Sequence, residues 1–173
     1  MRPMTSPALP AKLADRPARQ VGRVVPIGSR GSRIARHDPR WPAIAATLAA
    51  LREKRRFSVR IVDADCGAGA LLLYAAHHAR LLGFTAIEAR GIDGAPSLIG
   101  LARAAARRVA DPAIGISFEV GEVIAALHDE DDAPADIVLW HAPHAAAIDA
   151  ALARAGTVVV CDAQDGQGGE RAA

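Results

Sequence analysis

The chain reads as one α/β domain built on a parallel sheet, and three observations predict it. Five short apolar runs, Val59–Val62, Ile87–Ile92, Ile116–Val120, Ile137–Trp140 and Thr157–Cys161, alternate with segments whose apolar residues recur at helical spacing. The runs are rich in Val and Ile, and the first has the continuous apolar character of a strand buried on both faces, as in parallel sheets. That run ends in Asp63 and passes through a tight small-residue turn, Cys66-Gly67-Ala68-Gly69-Ala70. Leu71, Leu72, Ala75 and His78 then follow at helical spacing. Strand, glycine loop and helix in that order bring backbone close to whatever binds beyond the carboxyl ends of the strands.

A length of 173 residues suits one domain with a substantial core. Much of the 51% apolar content is alanine, as alanine-rich helices on a Val/Ile sheet would require. No apolar run reaches the ~18 residues of a membrane span. No signal-peptide segment opens the chain, so the expectation is a cytoplasmic protein without membrane contact. Cys66 and Cys161 are the only cysteines, too few for a disulfide framework or a zinc site. Charge is uneven. Residues 1–60 hold 14 Lys/Arg against 3 Asp/Glu, and residues 61–173 hold 7 against 16. A basic arm can bind nucleic acid, but Trp41 and Phe57 are its only aromatics, which disfavours base stacking.

Residues 1–36 hold five prolines and scattered arginines without periodicity, and read as a disordered basic arm. The domain proper is expected over 37–163, and 164–173 as a flexible tail. Asp38-Pro39-Arg40-Trp41-Pro42 precedes Trp41, Ile44, Leu48 and Leu51 at 3, 4 and 3 residue spacing, an amphipathic helix to about Lys54. After the first strand and loop a helix runs to Leu82, and Gly83 suits its C-terminal cap. His77 and His78 are adjacent and cannot share a helix face for a metal. The second strand ends at Asp93, and Leu98, Ile99, Ala102, Ala105, Ala106 and Val109 mark the next helix. Asp111-Pro112 breaks the chain before the third strand, which Gly121-Glu122 follows. His128-Asp129-Glu130-Asp131-Asp132 is expected to be a solvated acidic loop. The fourth strand ends at Trp140, ahead of His141-Ala142-Pro143-His144, an alanine-rich helix to Arg154 and the fifth strand.

The dinucleotide pattern G-x-G-x-x-G/A is not met, because Leu72 stands at its third position. The segment "DADCGAG" instead resembles motif I of the class I S-adenosylmethionine-dependent methyltransferases, D/E-x-G-x-G-x-G. Asp63 falls on the acid, Gly67 and Gly69 on the second and third glycines, and Asp65 departs at the first. "ARGIDGAPSLIGLARAAA" resembles the segment that follows motif I, with Asp93 on the acid that accepts the ribose hydroxyls. A carboxylate at a strand end can accept two hydroxyl protons at once. "FEVGEV" resembles the adenine-side loop.

The resemblance covers Trp41 to Asp162. It implies a three-layer Rossmann-like sandwich with sheet order 3-2-1-4-5 and right-handed crossovers, lacking the family's usual C-terminal antiparallel strand pair. It implies S-adenosylmethionine as cofactor, with Asp63, Asp65, Cys66, Gly67, Gly69, Asp93, Gly94, Glu122, Val123 and His141 as cofactor-binding candidates. His141 and His144 lie where the transferring methyl would be, and either suits a general base. The Asp/Asn-Pro-Pro-aromatic motif of amino-methylating nucleic-acid enzymes is absent, so the expected acceptor is a small molecule. Two alternatives remain: a non-catalytic cofactor-binding or regulatory protein, and a nucleic-acid-associated enzyme recruited by the basic arm. An open sheet edge invites a homodimer. Metal is not expected.

Overall fold

The computed structural model describes residues 29–141 and 146–162. Five strands form one sheet: β1 (Ser58–Asp63), β2 (Ala86–Asp93), β3 (Ile114–Val120), β4 (Ala135–Trp140) and β5 (Gly156–Cys161). All neighbours pair in parallel, in the order β3-β2-β1-β4-β5. This is the expected order, with the third strand opening two residues earlier than read from the sequence. A parallel pair cannot be closed by a hairpin, so each connection crosses a face of the sheet. The crossovers are α3 (Ala70–Leu81), α4 (Pro96–Ala106), α5 (Val123–His128) and α6 (Ala146–Ala155).

Successive strand residues point to opposite faces, and so each central strand feeds two cores. On one face Ile61, Ala89, Leu139 and Val160 meet Leu72, Ala75, Ala76, Ala79 and Ile99, with Ile44 and Leu48 of α2 (Trp41–Glu53). On the other Val62, Ile92, Val138 and Trp140 meet Ala126, Leu127, Ala151 and Leu152 of α5 and α6. Alanine faces let the helices lie close to the Val/Ile sheet, which explains how so few aromatics suffice. Gly83, at φ +93°, terminates α3 as expected.

Two expectations are corrected. The arm read as disordered ends in a helix, α1 (Ser29–Arg36). Two turns of helix are marginal alone, so docking holds them. Ala35 is buried, and Arg36 Nε donates to the Tyr74 hydroxyl at 2.7 Å with its guanidinium 5.7 Å from the ring centroid. Trp41 packs against the same residue with its ring tilted, at 4.4 Å between centroids, and the His78 ring lies edge-on to Trp41 at 5.0 Å. The basic arm before residue 29, the tail 164–173 and His144 lie outside the described residues.

The acidic loop is not wholly solvated. Glu130 is fully buried. Arg60 Nη1 lies 2.7 Å from its Oε2, and Arg90 of β2 grips its other oxygen. Arg60 and Arg90 project from the same sheet face as Val62 and Ile92, so two guanidinium groups meet under the loop. A carboxylate there is drawn inward, as a buried charge must be paired to be tolerated. Among the described residues no helix is long and apolar enough to cross a membrane, and no cluster could hold a metal ion.

Candidate functional site

The site gathers at the carboxyl ends of β1, β2 and β4, on the chain that leaves β1. Ala64 N donates to Leu139 O and Cys66 N to Ile92 O, both at 3.0 Å. The loop is therefore tied to the strands on both sides. Gly67 and Gly69 then adopt φ of +54° and +75°, a left-handed region costly to residues with a Cβ. Gly69 N donates back to Cys66 O at 2.9 Å, and α3 begins at once.

The two glycines serve different needs. A Cβ on Gly67 would meet nothing within 4 Å, so only its backbone angle calls for glycine. A Cβ on Gly69 would come within 2.5 Å of the Phe118 ring, and one on Gly91 within 2.5 Å of the same ring and 3.0 Å of Cys66 Sγ. Phe118 of β3 thus lies under the loop, fitted between two glycines. Cys66 is buried there, and burial first, with the nearby Asp63 and Asp93 charges, pushes its thiol far up. It is a packing residue, not a nucleophile.

Asp93, 6% exposed, holds the loop to the second strand. Its Oδ2 accepts Gly67 N at 2.8 Å, and its Oδ1 accepts Ala95 N at 2.7 Å, just ahead of α4. Each oxygen has a second lone pair, and the Asp65 carboxyl draws on one of them. Gly94 beside it is exposed. Asp65 faces this carboxylate. Burial, then the Asp93 charge, raises the Asp65 carboxyl, while His141 and Arg40 pull it down less. A hydrogen bond to Asp93 also favours its protonated form. Asp65 at the first-glycine position therefore adds a second acid to the mouth of β2.

Asp63 is buried at the end of β1. Burial pushes it up to about 7, against the pull of Arg40 and the Asp65 backbone N–H. Arg40, in the turn before α2, is almost as buried, and it is the centre of a carboxylate cluster. Its Nε and Nη2 donate to Asp38 at 3.0 and 2.9 Å, its Nη1 lies 4.0 Å from Asp63, and its Nε lies 3.2 Å from Asp162. Asp162, just past β5, also contacts His141 Nδ1 through its other oxygen. His141 follows β4 and is 58% exposed. Four buried polar atoms here lack a hydrogen-bond partner: Arg40 Nη1, Asp63 Oδ1, Asp162 Oδ1 and the Trp140 indole Nε1.

The structure thus brings Asp63, Asp65, Cys66, Gly67, Gly69, Asp93, Gly94 and His141 to one end of the sheet. Glu122 stands at the adjacent end of β3, where Gly121 N donates to Asp93 O at 3.2 Å. Its carboxylate, however, accepts Ala125 N at 2.8 Å and caps α5. Val123 is half-buried against the second core. Sequence reasoning missed Arg40, Asp38 and Asp162. Asp38-Pro39-Arg40 was legible as a helix start, and the signal overlooked is an arginine in a turn beside an aspartate, leading toward two strand-end acids.

No protein-family model matches the sequence, and no curated protein does. Among solved structures the chain is similar to magnesium protoporphyrin IX methyltransferase (ChlM) from Synechocystis PCC 6803 with bound SAM. The TM-score is 0.50 at 18% identity, over 75% of this chain and 60% of that one. It is also similar to the bifunctional kinase-methyltransferase WbdD. In a complex of that protein with a kinase inhibitor the TM-score is 0.51 at 22% identity, over 68% of this chain and 27% of that one. The chain spans less than two thirds of either protein's length. The fold is the Rossmann-like fold of class I S-adenosylmethionine-dependent methyltransferases.

Proposed function

We propose that the chain binds S-adenosylmethionine across the carboxyl ends of β1 and β2 and passes its methyl group to a small-molecule acceptor held near the end of β4. The observation that carries this reading is Asp93. Its carboxylate locks a left-handed glycine loop through Gly67 N and keeps acceptor capacity beyond its two backbone bonds, which a ribose would share with or take over from the Asp65 carboxyl. A ribose with two adjacent hydroxyls matches that pair of acceptors.

The residues present fit the cofactor in two further respects. A Cβ at Gly67 would meet open space, which leaves the loop backbone approachable. Asp63 and Asp65 place two carboxyls, both pushed toward their protonated forms by burial, where the ammonium and sulfonium groups of a ligand would draw them into the charged form, and Asp63 Oδ1 lacks a hydrogen-bond partner. When bound, S-adenosylmethionine supplies an electrophilic methyl group. This chain's residues bind and align: the loop and Asp93 fix the nucleoside, Asp63 and Asp65 face the cationic part, and the end of β4 receives the acceptor. Methyl transfer draws much of its rate from such alignment.

A second reading is a non-catalytic cofactor-binding protein of the same fold. Asp65 in place of the first motif glycine favours it. The test for the shared part is calorimetric titration of S-adenosylhomocysteine into the native chain and into Asp93→Asn. Micromolar affinity that falls at least tenfold in the variant supports binding at Asp93. Absence of binding by the native chain refutes both readings.

A further inference from the structure

We propose that Asp162 is a positioning residue that fixes His141 as a general base, and that the acceptor is therefore an oxygen or sulfur nucleophile that must lose a proton. This deepens the function proposed above and rests on it. Asp162 lies between two nitrogen-bearing side chains. One oxygen lies 3.2 Å from Arg40 Nε, and the other contacts His141 Nδ1. Arg40 is itself locked by the two-point grip on Asp38 and is 94% withdrawn from solvent. The carboxylate thus sits in the field of a fixed guanidinium, as an ion pair without a hydrogen bond. A carboxylate on Nδ1 sets the proton there and leaves Nε2 as the basic nitrogen. His141 directly follows β4, and its side chain is more than half exposed. A base oriented by a third group, itself anchored, is the arrangement that activates a hydroxyl or thiol.

The step balances. The acceptor O–H or S–H gives its proton to His141 Nε2, and the freed lone pair forms the new bond to the methyl carbon. The carbon–sulfonium bond breaks with its electrons staying on sulfur, leaving a neutral thioether. The imidazolium then returns its proton to solvent. An amine acceptor that arrives neutral needs no such base before attack, so the pair would be idle for it.

The test uses the full chain labelled with ¹⁵N-histidine. Long-range ¹H–¹⁵N spectra are taken with the ring neutral, and His141→Gln identifies the signal. The expected result is a proton on Nδ1 in the native chain and a shift toward the Nε2–H form in Asp162→Ala, with Asp162→Glu restoring the native form. In parallel, transfer from S-adenosylmethionine to catechol, thiophenol and benzylamine is measured. Turnover of catechol or thiophenol should fall 10²–10⁴-fold in His141→Gln and at least tenfold in Asp162→Ala, in kcat more than in KM. An unchanged tautomer in Asp162→Ala overturns the proposal. So does transfer to benzylamine alone, or to none of the three, by a chain that binds S-adenosylhomocysteine. A native chain that fails to bind S-adenosylhomocysteine instead sinks the underlying reading.

Discussion

Replacing Gly69 by alanine should cost far more than the same change at Gly67, though both glycines have positive φ in one loop. At Gly67 only the backbone angle opposes a Cβ, since nothing lies within 4 Å. A residue with a Cβ in the left-handed region costs about 1–2 kcal/mol. At Gly69 the same backbone cost applies at φ +75°, and the new Cβ would also stand 2.5 Å from Phe118 Cζ and 3.0 Å from Ala102 Cβ. Overpacking of that kind adds about 1–3 kcal/mol. The ring cannot readily withdraw, because Arg103 of α4 donates from Nε to the Phe118 carbonyl at 2.8 Å and holds that strand in place. Gly69→Ala should therefore lose about 2–5 kcal/mol, a large share of a typical total of about 5–15 kcal/mol. Urea unfolding of the native chain, Gly67→Ala, Gly69→Ala, Phe118→Leu and the Gly69→Ala/Phe118→Leu double variant reads these terms. The double variant should recover about 1–3 kcal/mol relative to the sum of the singles, as coupled contacts do. Equal midpoints for the two glycine variants, or strict additivity in the cycle, would falsify the view that Phe118 underlies the loop.

The other expectations concern charge. Glu130→Ala should cost about 3–5 kcal/mol, because it leaves Arg60 and Arg90 without their buried partner. Asp129→Ala, which removes a mostly exposed carboxylate from the same Arg90, should cost less than about 1 kcal/mol by the same urea assay. Asp63 should make stability fall as pH rises. Its folded-state value is pushed up from 3.8 to about 7, so the folded chain keeps a proton that the unfolded chain releases. That contribution is complete below about 4, declines through the window and is gone above about 7. In Asp63→Asn the decline should flatten, as read from Tm at intervals of pH; a native profile that rises between pH 4 and 7 and is unchanged by the substitution would contradict it.

Much of the fold was legible because periodicity and punctuation agreed. The central strands are buried on both faces, so their composition alone marks them, and the alternation of strands and helices marked a parallel sheet, whose order came with the resemblance to the class I methyltransferases. The glycine loop and Asp93 were legible because a strand end, a turn and a carboxylate are all local features. What was not legible depends on distant pairing. Glu130 sits in an acidic run whose composition suggests water, and only the meeting of Arg60 and Arg90 on adjacent strands draws it inward. Helix α1 is too short to show a period and exists through its contact with Tyr74. The Arg40 cluster joins a turn before α2 to the ends of β1 and β5, a span of more than a hundred residues that no local pattern records. Glu122 shows the reverse case: a resemblance marked it for a ligand, while its own helix claims the carboxylate.

The most direct measurement of the central claim leaves the protein unaltered. The native chain is titrated calorimetrically with S-adenosylhomocysteine and with its 2′-deoxy and 3′-deoxy analogues. If Asp93 accepts both ribose hydroxyls, each deletion removes a hydrogen bond to a charged group, worth about 1.5–3 kcal/mol, and weakens binding roughly 10- to 150-fold. Binding of all three with equal affinity would show that the nucleoside, if held, is not held by Asp93, and the assignment of this loop as the cofactor site would fall with it.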